Sequence, residues 1–486
     1  MKRILTWYLV LTGFLAQAQT DNFTSIRTTV DFDWKLREWD GFGFNYVETA
    51  QTTDYEKAPQ EYGGFSLLDE KEKAEIIDMV FGEDGLKVGL VKMFYDPWHQ
   101  TKVGGEFNHE RTTQNMREFV RKGLAVTRAR GADLEMITTL YGPPPFITKQ
   151  KFLRGRDLDP TMKDALAEYF ISWADFLVNK EKFPLKYVSL HNEGEDWWRW
   201  PADGKDRGWV GHDYNMYWSP ELVTEFIPFL KNKFNESGLT SIGVTNGEPS
   251  NWFRFSSWGY ADELYKDEIA LNHLALVTSH GFYTGGYNNR WFGPHTSEGI
   301  DLLRKKRPEL KAWVTSTSWS QMDAKNIKEM HGNIYSSKVN GIIPWAGIQR
   351  PAQWYEGDPN PGSAFTVKED GSYEVRRGYY FYKQVSRAGQ PGMAVAKTTS
   401  MDSQIAVIAF ANNKTDHPDA IVVVNWADEP RKVNIEVKGS AYQRFEAYRT
   451  TNDESDLYSP IGDFSLENNT LLFDAPAGSV TTFFGK

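Results

Sequence analysis

The chain has 486 residues, of which 40% are hydrophobic and 25% are charged. This length exceeds what one hydrophobic core usually organises, so a lone small module is excluded and two domains, or one barrel with an appendage, are expected. Acidic residues outnumber basic ones by 65 to 55, and the net charge of −10 disfavours nucleic acid as a partner. The absence of cysteine excludes disulfides, thiolate metal sites and a cysteine nucleophile.

The first residues are typical of a secretory signal peptide. Lys2 and Arg3 precede the apolar stretch 4–15, which is followed by an Ala-Gln-Ala sequence that ends at Ala18. We expect cleavage after Ala18, so that residues 1–18 are removed and the mature protein is secreted or periplasmic. Because the apolar stretch is too short for a spanning helix, no membrane span is predicted.

The segment 39–390 alternates short apolar runs with helical patterns, which is typical of βα units around a parallel sheet. The candidate strands are 41–44, 89–93, 134–139, 187–190, 242–245, 276–279, 312–315 and 341–344. Eight such repeats predict an α/β fold, a (β/α)₈ TIM barrel, whose long loops after the strands build a substrate cleft. The helix after the first strand is predicted to begin near Ser66, since Ser66 and Asp69 have capping-box spacing.

The pattern changes after residue 390. Residues 391–486 carry alternating β-type runs separated by Asn, Asp, Pro and Gly, which predicts a β-sandwich side domain. The segment 19–38, before the barrel, contains a β-prone stretch. We expect it to add a strand to the same sandwich.

A polar pair, Asn192-Glu193, directly follows the fourth predicted strand. Because the strands of a barrel end at its cleft, Glu193 is expected at the cleft rim. Cleavage of a glycosidic bond requires a carboxylic acid near the leaving oxygen, and an adjacent amide can hold a sugar hydroxyl. The sequence therefore predicts Glu193 as a catalytic acid, with its pKa raised by desolvation in a tryptophan-lined cleft, and Asn192 as a substrate-binding residue.

Four segments carry a family likeness: 41–43 (Gly-Phe-Gly), 81–92, 141–145 (Tyr-Gly-Pro-Pro-Pro) and 379–392. Together, in order and spacing, they resemble glycoside hydrolase family 30 and related barrel glycosidases that use two catalytic glutamates. The resemblance implies a glycosidase in which Glu193 is the general acid/base and Asn192 its sugar-hydroxyl partner. In that family a nucleophilic Glu ends strand seven and an Arg on strand two supports it. Here Ser316 and Lys92 occupy those two positions.

Three explanations of Ser316 remain open. In the first, another carboxylate serves, either Glu248 after strand five or Glu195, acting as base in an inverting reaction that tolerates about 6.5 to 9.5 Å between carboxyls. In the second, the protein is a catalytically inactive, glycan-binding barrel. In the third, the chain is a deliberately disabled version of an active enzyme. We expect a secreted glycoside hydrolase that cleaves β-linked polysaccharide or oligosaccharide by general acid/base catalysis, with the inactive glycan-binding barrel as the alternative.

Aromatic residues make up 15% of the chain, more than a core alone needs, and flat rings with polar rims suit sugar stacking. Further substrate-binding candidates on loops at the strand ends are His191, Glu195, Trp198, Trp252, His280, Tyr283, Trp319, Trp345 and Arg350. Rim arginines make an anionic carbohydrate substrate one hypothesis. No phosphate-binding loop, zinc-binding helix or hydrolase elbow is present, so no cofactor is predicted, while a loop calcium ion is left open.

Overall fold

The computed structural model describes residues 25–197, 203–205, 214–283, 292–354 and 360–486. The predicted signal peptide and Trp198 lie outside these residues, so both remain predictions. Within the described ranges, no helix is long and apolar enough to cross a membrane.

The first strand, β1 (Ile26–Glu38), belongs to the side domain, and the chain then enters a closed barrel of eight parallel strands. The barrel strands are β2 (Gly41–Asn45), β3 (Leu90–Tyr95), β4 (Glu135–Leu140), β5 (Leu185–Ser189), β6 (Gly243–Thr245), β7 (Leu274–Ser279), β8 (Ala312–Thr317) and β9 (Gly341–Pro344). Pairing of β2 with β9 closes the ring. The predicted TIM barrel is confirmed, and each predicted strand overlaps an observed one.

Helices follow the strands and cover the outside of the barrel. They are α1 (Glu70–Phe81), α2 (Gln114–Ala129), α3 (Lys163–Asp175), α4 (Pro220–Glu236), α5 (Trp252–Ser257), α6 (Tyr260–Lys266), α7 (Glu268–His273), α8 (Glu298–Arg304), α9 (Ala324–Tyr335) and α10 (Arg377–Ala388). The predicted start of α1 at Ser66 is wrong. Asp69 caps the helix, accepting from the Glu72 amide while the Glu72 side chain accepts from the Asp69 amide.

An apolar layer fills the barrel interior below the level of the strand ends. Its buried members are Leu90, Ile137, Tyr187, Leu276, Trp313 and Ile343. Gly43 belongs to this layer, because a Cβ at that position would lie 2.6 Å from Ile343 and 2.9 Å from the Leu90 side chain. Above it, toward the C-terminal strand ends, the inward residues become polar, as at Lys92 and Thr139. Polar and charged groups therefore line the end of the barrel where loops can build a cleft.

Three short strands lie beside the barrel mouth: β10 (Ile348–Gln349), β11 (Phe365–Val367) and β12 (Tyr373–Val375). The remaining strands are β13 (Ala394–Ser400), β14 (Ile405–Ala411), β15 (Ala420–Asn425), β16 (Arg431–Lys438), β17 (Arg444–Thr450), β18 (Ser459–Ser465), β19 (Thr470–Ala475) and β20 (Ser479–Gly485). Together with β1 they form the nine-stranded sheet of the side domain, in the order β18-β17-β20-β15-β14-β13-β1-β16-β19. The sheet folds back so that β19 contacts β15 and β20. The predicted sandwich-like side domain is confirmed.

Candidate active site

The backbone beyond β5 and β6 sets two carboxylates side by side at the C-terminal end of the barrel. The strands continue past their ends through a parallel bridge between Asn192 and Glu248. The Glu193 amide donates to the Glu248 carbonyl at 2.9 Å, and the Glu248 amide donates to the His191 carbonyl at 2.9 Å. These bonds place Glu193 and Glu248 in adjacent positions on neighbouring loops.

A single imidazole ring connects the two carboxylates. The Nδ1 atom of His280, which follows β7, lies 2.9 Å from Oε1 of Glu193, and its Nε2 atom lies 3.1 Å from Oε2 of Glu248. Glu248 also accepts from the Thr139 hydroxyl at 2.6 Å and from the Lys92 ammonium. Polar groups from β3, β4 and the loop after β7 therefore all contact one carboxylate, that of Glu248 in the loop after β6.

The charges of this cluster are fixed by burial and by hydrogen bonding. Burial would raise the pKa of Glu248, but the Lys92 charge and the His280 hydrogen bond outweigh it and lower that pKa to about 2. Burial would lower the pKa of His280, but its hydrogen bonds to Glu193 and Glu248 raise it above the ordinary value. Burial lowers the pKa of Lys92, which Glu248 opposes, so the ionised Glu248 lies between the Lys92 amine and the His280 ring.

The two carboxylates differ in their access to solvent and lie well apart. The Glu193 side chain is 10% exposed, whereas that of Glu248 is 0% exposed. The His280 ring lies between them, so the two bonded oxygens are separated by the width of the ring and two hydrogen bonds.

Ser316 lies near the C-terminal end of β8, on the seventh barrel strand. Pairing between β8 and β9 is irregular from Val314 to Thr317, and the Ser316 hydroxyl lies 3.2 Å from the Lys92 ammonium. Lys92 is fully buried and contacts both Ser316 and Glu248. Strand seven thus contributes a hydroxyl to the cluster, and the second carboxylate comes from strand five.

Glu195 lies in a buried ion pair with Arg254. Its Oε1 atom accepts from the Ser250 amide at 2.9 Å, the Ser250 hydroxyl at 2.7 Å and the Arg254 guanidinium at 2.6 Å. The residue is 1% exposed, and Arg254 also lies 3.4 Å from Asp196. This buried ion pair ties the loop after β5 to helix α5, and the role of Glu195 as a base or substrate contact stays a prediction.

His191 and Asn192 shape the turn that carries Glu193. The Nδ1 atom of His191 accepts from the Gly194 amide at 3.0 Å, and burial lowers the pKa of this histidine to about 4, so the ring is neutral. Asn192 is 2% exposed, and its carbonyl accepts a hydrogen bond from Asn215. The His191 ring therefore stabilises the turn through the Gly194 amide, and Asn215 fixes the backbone of Asn192 next to Glu193.

Two of the predicted tryptophan platforms are core residues, which corrects their assignment to the cleft. Trp252 is 1% exposed and donates its indole hydrogen to Asn333 at 2.9 Å. Trp319 is 0% exposed and packs edge-on against Tyr382, with ring centroids 5.1 Å apart. Neither ring has a free face on which a sugar could stack.

Trp345 remains a candidate platform. It is half-buried after β9, parallel to Tyr141 with centroids 6.3 Å apart and edge-on to Phe94 at 5.7 Å. These rings belong to an aromatic cluster at the barrel mouth. The Phe94 ring lies 4.4 Å from the Lys92 ammonium, so the aromatic side of the mouth adjoins the charged cluster.

Tyr283 and Arg350 are engaged elsewhere. The Tyr283 ring stacks on His295, with centroids 4.2 Å apart and planes 8° from parallel. Arg350 holds Glu369 through two hydrogen bonds of 2.6 Å each. The guanidinium fork of Arg350 thus holds Glu369, and its role toward an anionic sugar stays a prediction.

Sequence reasoning missed Thr139 and Asn215, which both touch the catalytic loops. Thr139 had a detectable signal. It lies two residues after Ile137 on the same strand, and because alternate residues of a strand face the same side, it also faces the barrel interior. Asn215 had none, since it lies in an irregular segment far along the chain from Glu193. Among the described residues, no group of three or more His, Asp or Glu side chains is arranged to hold a metal ion.

Comparison with solved structures gives matches over nearly the whole chain. An endoxylanase of glycoside hydrolase family 30 from Clostridium papyrosolvens is 16% identical with a TM-score of 0.66, covering 95% of this chain and 100% of its own. The catalytic domain of a family 30 xylanase from Talaromyces cellulolyticus is 17% identical with a TM-score of 0.68, covering 95% and 100%. The chain has the fold of glycoside hydrolase family 30.

An endo-β-1,6-glucanase shares this fold at 16% identity and a TM-score of 0.66, with 95% of this chain and 94% of that chain covered. No protein-family model and no curated protein matches the sequence. The recognition of the family 30 architecture is therefore confirmed at the level of fold.

Proposed function

We propose that the protein is a glycoside hydrolase acting on β-linked oligosaccharide or polysaccharide. The observation that carries this proposal is the pair Glu193 and Glu248, bridged by His280 at the C-terminal mouth of the barrel. Support comes from the fold, which the chain shares with solved xylanases and an endo-β-1,6-glucanase. The aromatic side of the mouth around Trp345 supplies apolar surface suited to pyranose rings.

In the proposed reaction Glu193 is the general acid and Glu248 the general base. Glu193 donates its proton to the glycosidic oxygen as the bond between that oxygen and the anomeric carbon breaks. A water molecule attacks the anomeric carbon from the opposite face, and its proton passes to Glu248. Lys92 and Thr139 hold Glu248 ionised and oriented. With Glu248 as base to a water molecule, the reaction inverts the configuration at the anomeric carbon.

The test is turnover on a panel of plant, algal and fungal β-glycans, including sulfated ones, with detection of new reducing ends. Glu193→Gln should reduce activity by about 10²- to 10⁴-fold, the usual contribution of a general acid, without lowering the melting temperature. Glu309→Gln is the matched control, because this exposed carboxylate precedes the N-terminal end of β8, at the end of the barrel away from Glu193. A loss of only a few-fold in Glu193→Gln would remove this residue from the role.

The anomeric outcome is measured by proton NMR of the first-formed sugar. Inversion is expected if Glu248 activates water. Retention would mean that a nucleophile other than a water molecule attacks the anomeric carbon, and it would contradict the assignment of Glu248 as base.

A second candidate function is glycan binding without cleavage. It is favoured by the 0% exposure of Glu248 and by the hydroxyl of Ser316 on strand seven. Calorimetric titration with the same glycans separates the two functions, since binding without product from any of them would support the second.

We further propose export of the mature chain, on the basis of the basic and apolar N-terminal pattern that ends at Ala18. Sequencing of the N-terminus of the protein recovered outside the cytoplasm should begin at Gln19. Recovery only inside cells with Met1 retained would contradict this proposal.

A further inference from the structure

We propose that Asn215 is a positioning residue that holds the acid Glu193 in its catalytic geometry, an inference that rests on the proposed function. The side-chain Nδ2 of Asn215 donates to the Asn192 carbonyl at 2.6 Å and to the Glu193 carbonyl at 3.1 Å. The residue is only 4% exposed. One amide group thus binds two successive carbonyls of the turn that carries the acid.

The turn needs such support because its conformation is unfavourable. Glu193 has a φ of +48°, in the left-handed region that residues with a Cβ rarely adopt. Such conformations persist only where the surroundings over-determine them, and they concentrate at functional sites. The Glu193 amide is held by the Glu248 carbonyl, so Asn215 supplies the matching restraint on the carbonyl side.

Asn215 can act as a restraint because its own segment is anchored. The Tyr217 amide donates to the Arg156 carbonyl at 2.9 Å, and the Trp218 amide donates to the Gly194 carbonyl at 2.8 Å. Met216 and Trp218 are fully buried. The chain returning toward α4 therefore packs against the Glu193 turn directly after Asn215, and the Asn215 amide adds a side-chain restraint to that contact.

This role predicts a loss that depends on the leaving group. Without the Asn215 amide the turn can relax, and the Glu193 carboxyl moves away from the glycosidic oxygen. A poor leaving group needs the proton, whereas a dinitrophenolate departs without one. Asn215→Ala should therefore lower kcat at least ten-fold on unactivated β-glycan with KM nearly unchanged. Its turnover of the corresponding dinitrophenyl glycoside should change less than two-fold.

Two further variants separate positioning from general destabilisation. Asn215→Asp keeps the size of the side chain but replaces the donor by an acceptor, so it should lose at least as much activity as Asn215→Ala. Asn425→Ala is the matched control, because Asn425 is also a buried amide that donates to backbone carbonyls, but in the side domain. It should lower the melting temperature without any dependence on the leaving group.

A second readout does not depend on turnover. Hydrogen exchange of the wild type and Asn215→Ala should differ chiefly over residues 190–196, with faster exchange in the variant. Unchanged exchange there, or equal losses on both classes of glycoside, would overturn the positioning role. Inactivity of the wild type on every glycan would count against the proposed function alone, and the exchange measurement would still decide whether Asn215 holds the turn.

Discussion

Lys92 is the residue on which the charge balance of the mouth depends. Its ammonium is fully buried, lies 4.4 Å from the centre of the Phe94 ring, and contacts both Glu248 and Ser316. A buried cation is tolerated only when it is paired, and Glu248 is the carboxylate that pairs with it. A charged side chain introduced at Ser316 would therefore perturb the existing ion pair between Lys92 and Glu248.

Introducing a carboxylate at the strand-seven position tests this balance. Ser316→Glu should not raise turnover, because the new charge would compete with Glu248 for Lys92, and it should destabilise the protein, since overpacking a buried site costs about 1–3 kcal/mol. Reducing-end assays and thermal denaturation measure the two effects. Ser316→Gln, of equal size without charge, separates crowding from repulsion. A large gain of activity in Ser316→Glu would instead identify the chain as a disabled version of an enzyme with its nucleophile on strand seven.

The histidine between the two glutamates should give the protein a defined pH dependence of stability. The pKa of His280 is raised in the folded state, so its contribution is present below the unfolded value of about 6.5 and is lost as the pH rises through the folded value. The groups that face its ring are Glu193, Glu248 and, through Glu248, Lys92. The free energy of unfolding lost in His280→Gln should therefore shrink as the pH rises above about 6.5.

A second histidine provides a control of opposite sign. Burial lowers the pKa of His295 to about 3, with Lys328 and His331 adding to the effect. Its folded state therefore resists protonation, and the stability it contributes is lost as the pH falls below about 6.5. Urea unfolding of His280→Gln and His295→Gln across this range should show opposite trends relative to the wild type. Parallel trends would contradict the assigned protonation of His280.

The position of a site residue could be predicted from the sequence only where the end of a barrel strand determines it. Glu193 could be located because a buried strand ends four residues before it, and barrel strands end at the cleft. Trp252 and Trp319 could not be separated from platform residues, since a loop sequence does not show which way a ring turns after the strand ends. Glu195 was ambiguous for the same reason, because its partner Arg254 is distant in sequence.

Among the elements, β1 shows how a terminal segment can be central to a sheet. It pairs in parallel with β16, from Ile26 opposite Val433 to Asp31 opposite Lys438, and antiparallel with β13 on its other side. Val30 on this strand is 0% exposed. The strand therefore lies inside the sheet, two positions from the edge at β19.

Removal of β1 should prevent folding of the side domain. A chain that begins at Trp39 would leave the backbone groups of β13 and β16 without partners along their shared edge, and unpaired strand edges promote aggregation. We expect it to be recovered as aggregate. A chain that begins at Gln19, the predicted mature end, should be soluble with the stability of the full chain. Soluble, cooperatively folding protein from the shorter chain would contradict the central role of β1.

Element boundaries were predictable where periodicity and burial coincide. Strands buried on both faces read as continuous apolar runs, so 312–315 and 341–344 anticipated β8 and β9 closely. The start of α1 was misplaced because Ser66 and Asp69 both suit an N-cap, and only the backbone decides between them. The irregular pairing near Ser316 has no local sequence signal, since it depends on the neighbouring β9.

At the scale of the whole molecule, the barrel and the side sheet share one continuous core. Trp39 and Phe42, at the entry to the barrel, lie 5.3 and 6.1 Å from the ring of Phe410 on β14. Helix α10 packs between the barrel strand β2 and the sheet strands β15, β17 and β20. Large apolar interfaces of this kind couple the stabilities of the units they join. The two parts should therefore unfold together.

Calorimetry tests that coupling, with one transition expected whose van't Hoff and calorimetric enthalpies agree. Phe410→Ala removes a fully buried ring at the junction and should cost about 3–5 kcal/mol, which lowers the midpoint of the whole transition. Leu472→Ala, at a residue of the same sheet that is 52% exposed, should change stability by less than about 0.5 kcal/mol. If Phe410→Ala instead split the transition in two, with tryptophan fluorescence of the barrel unchanged at the lower one, the sheet and barrel would be independent units. The geometry of Glu193, Glu248 and His280 would then not depend on the side domain.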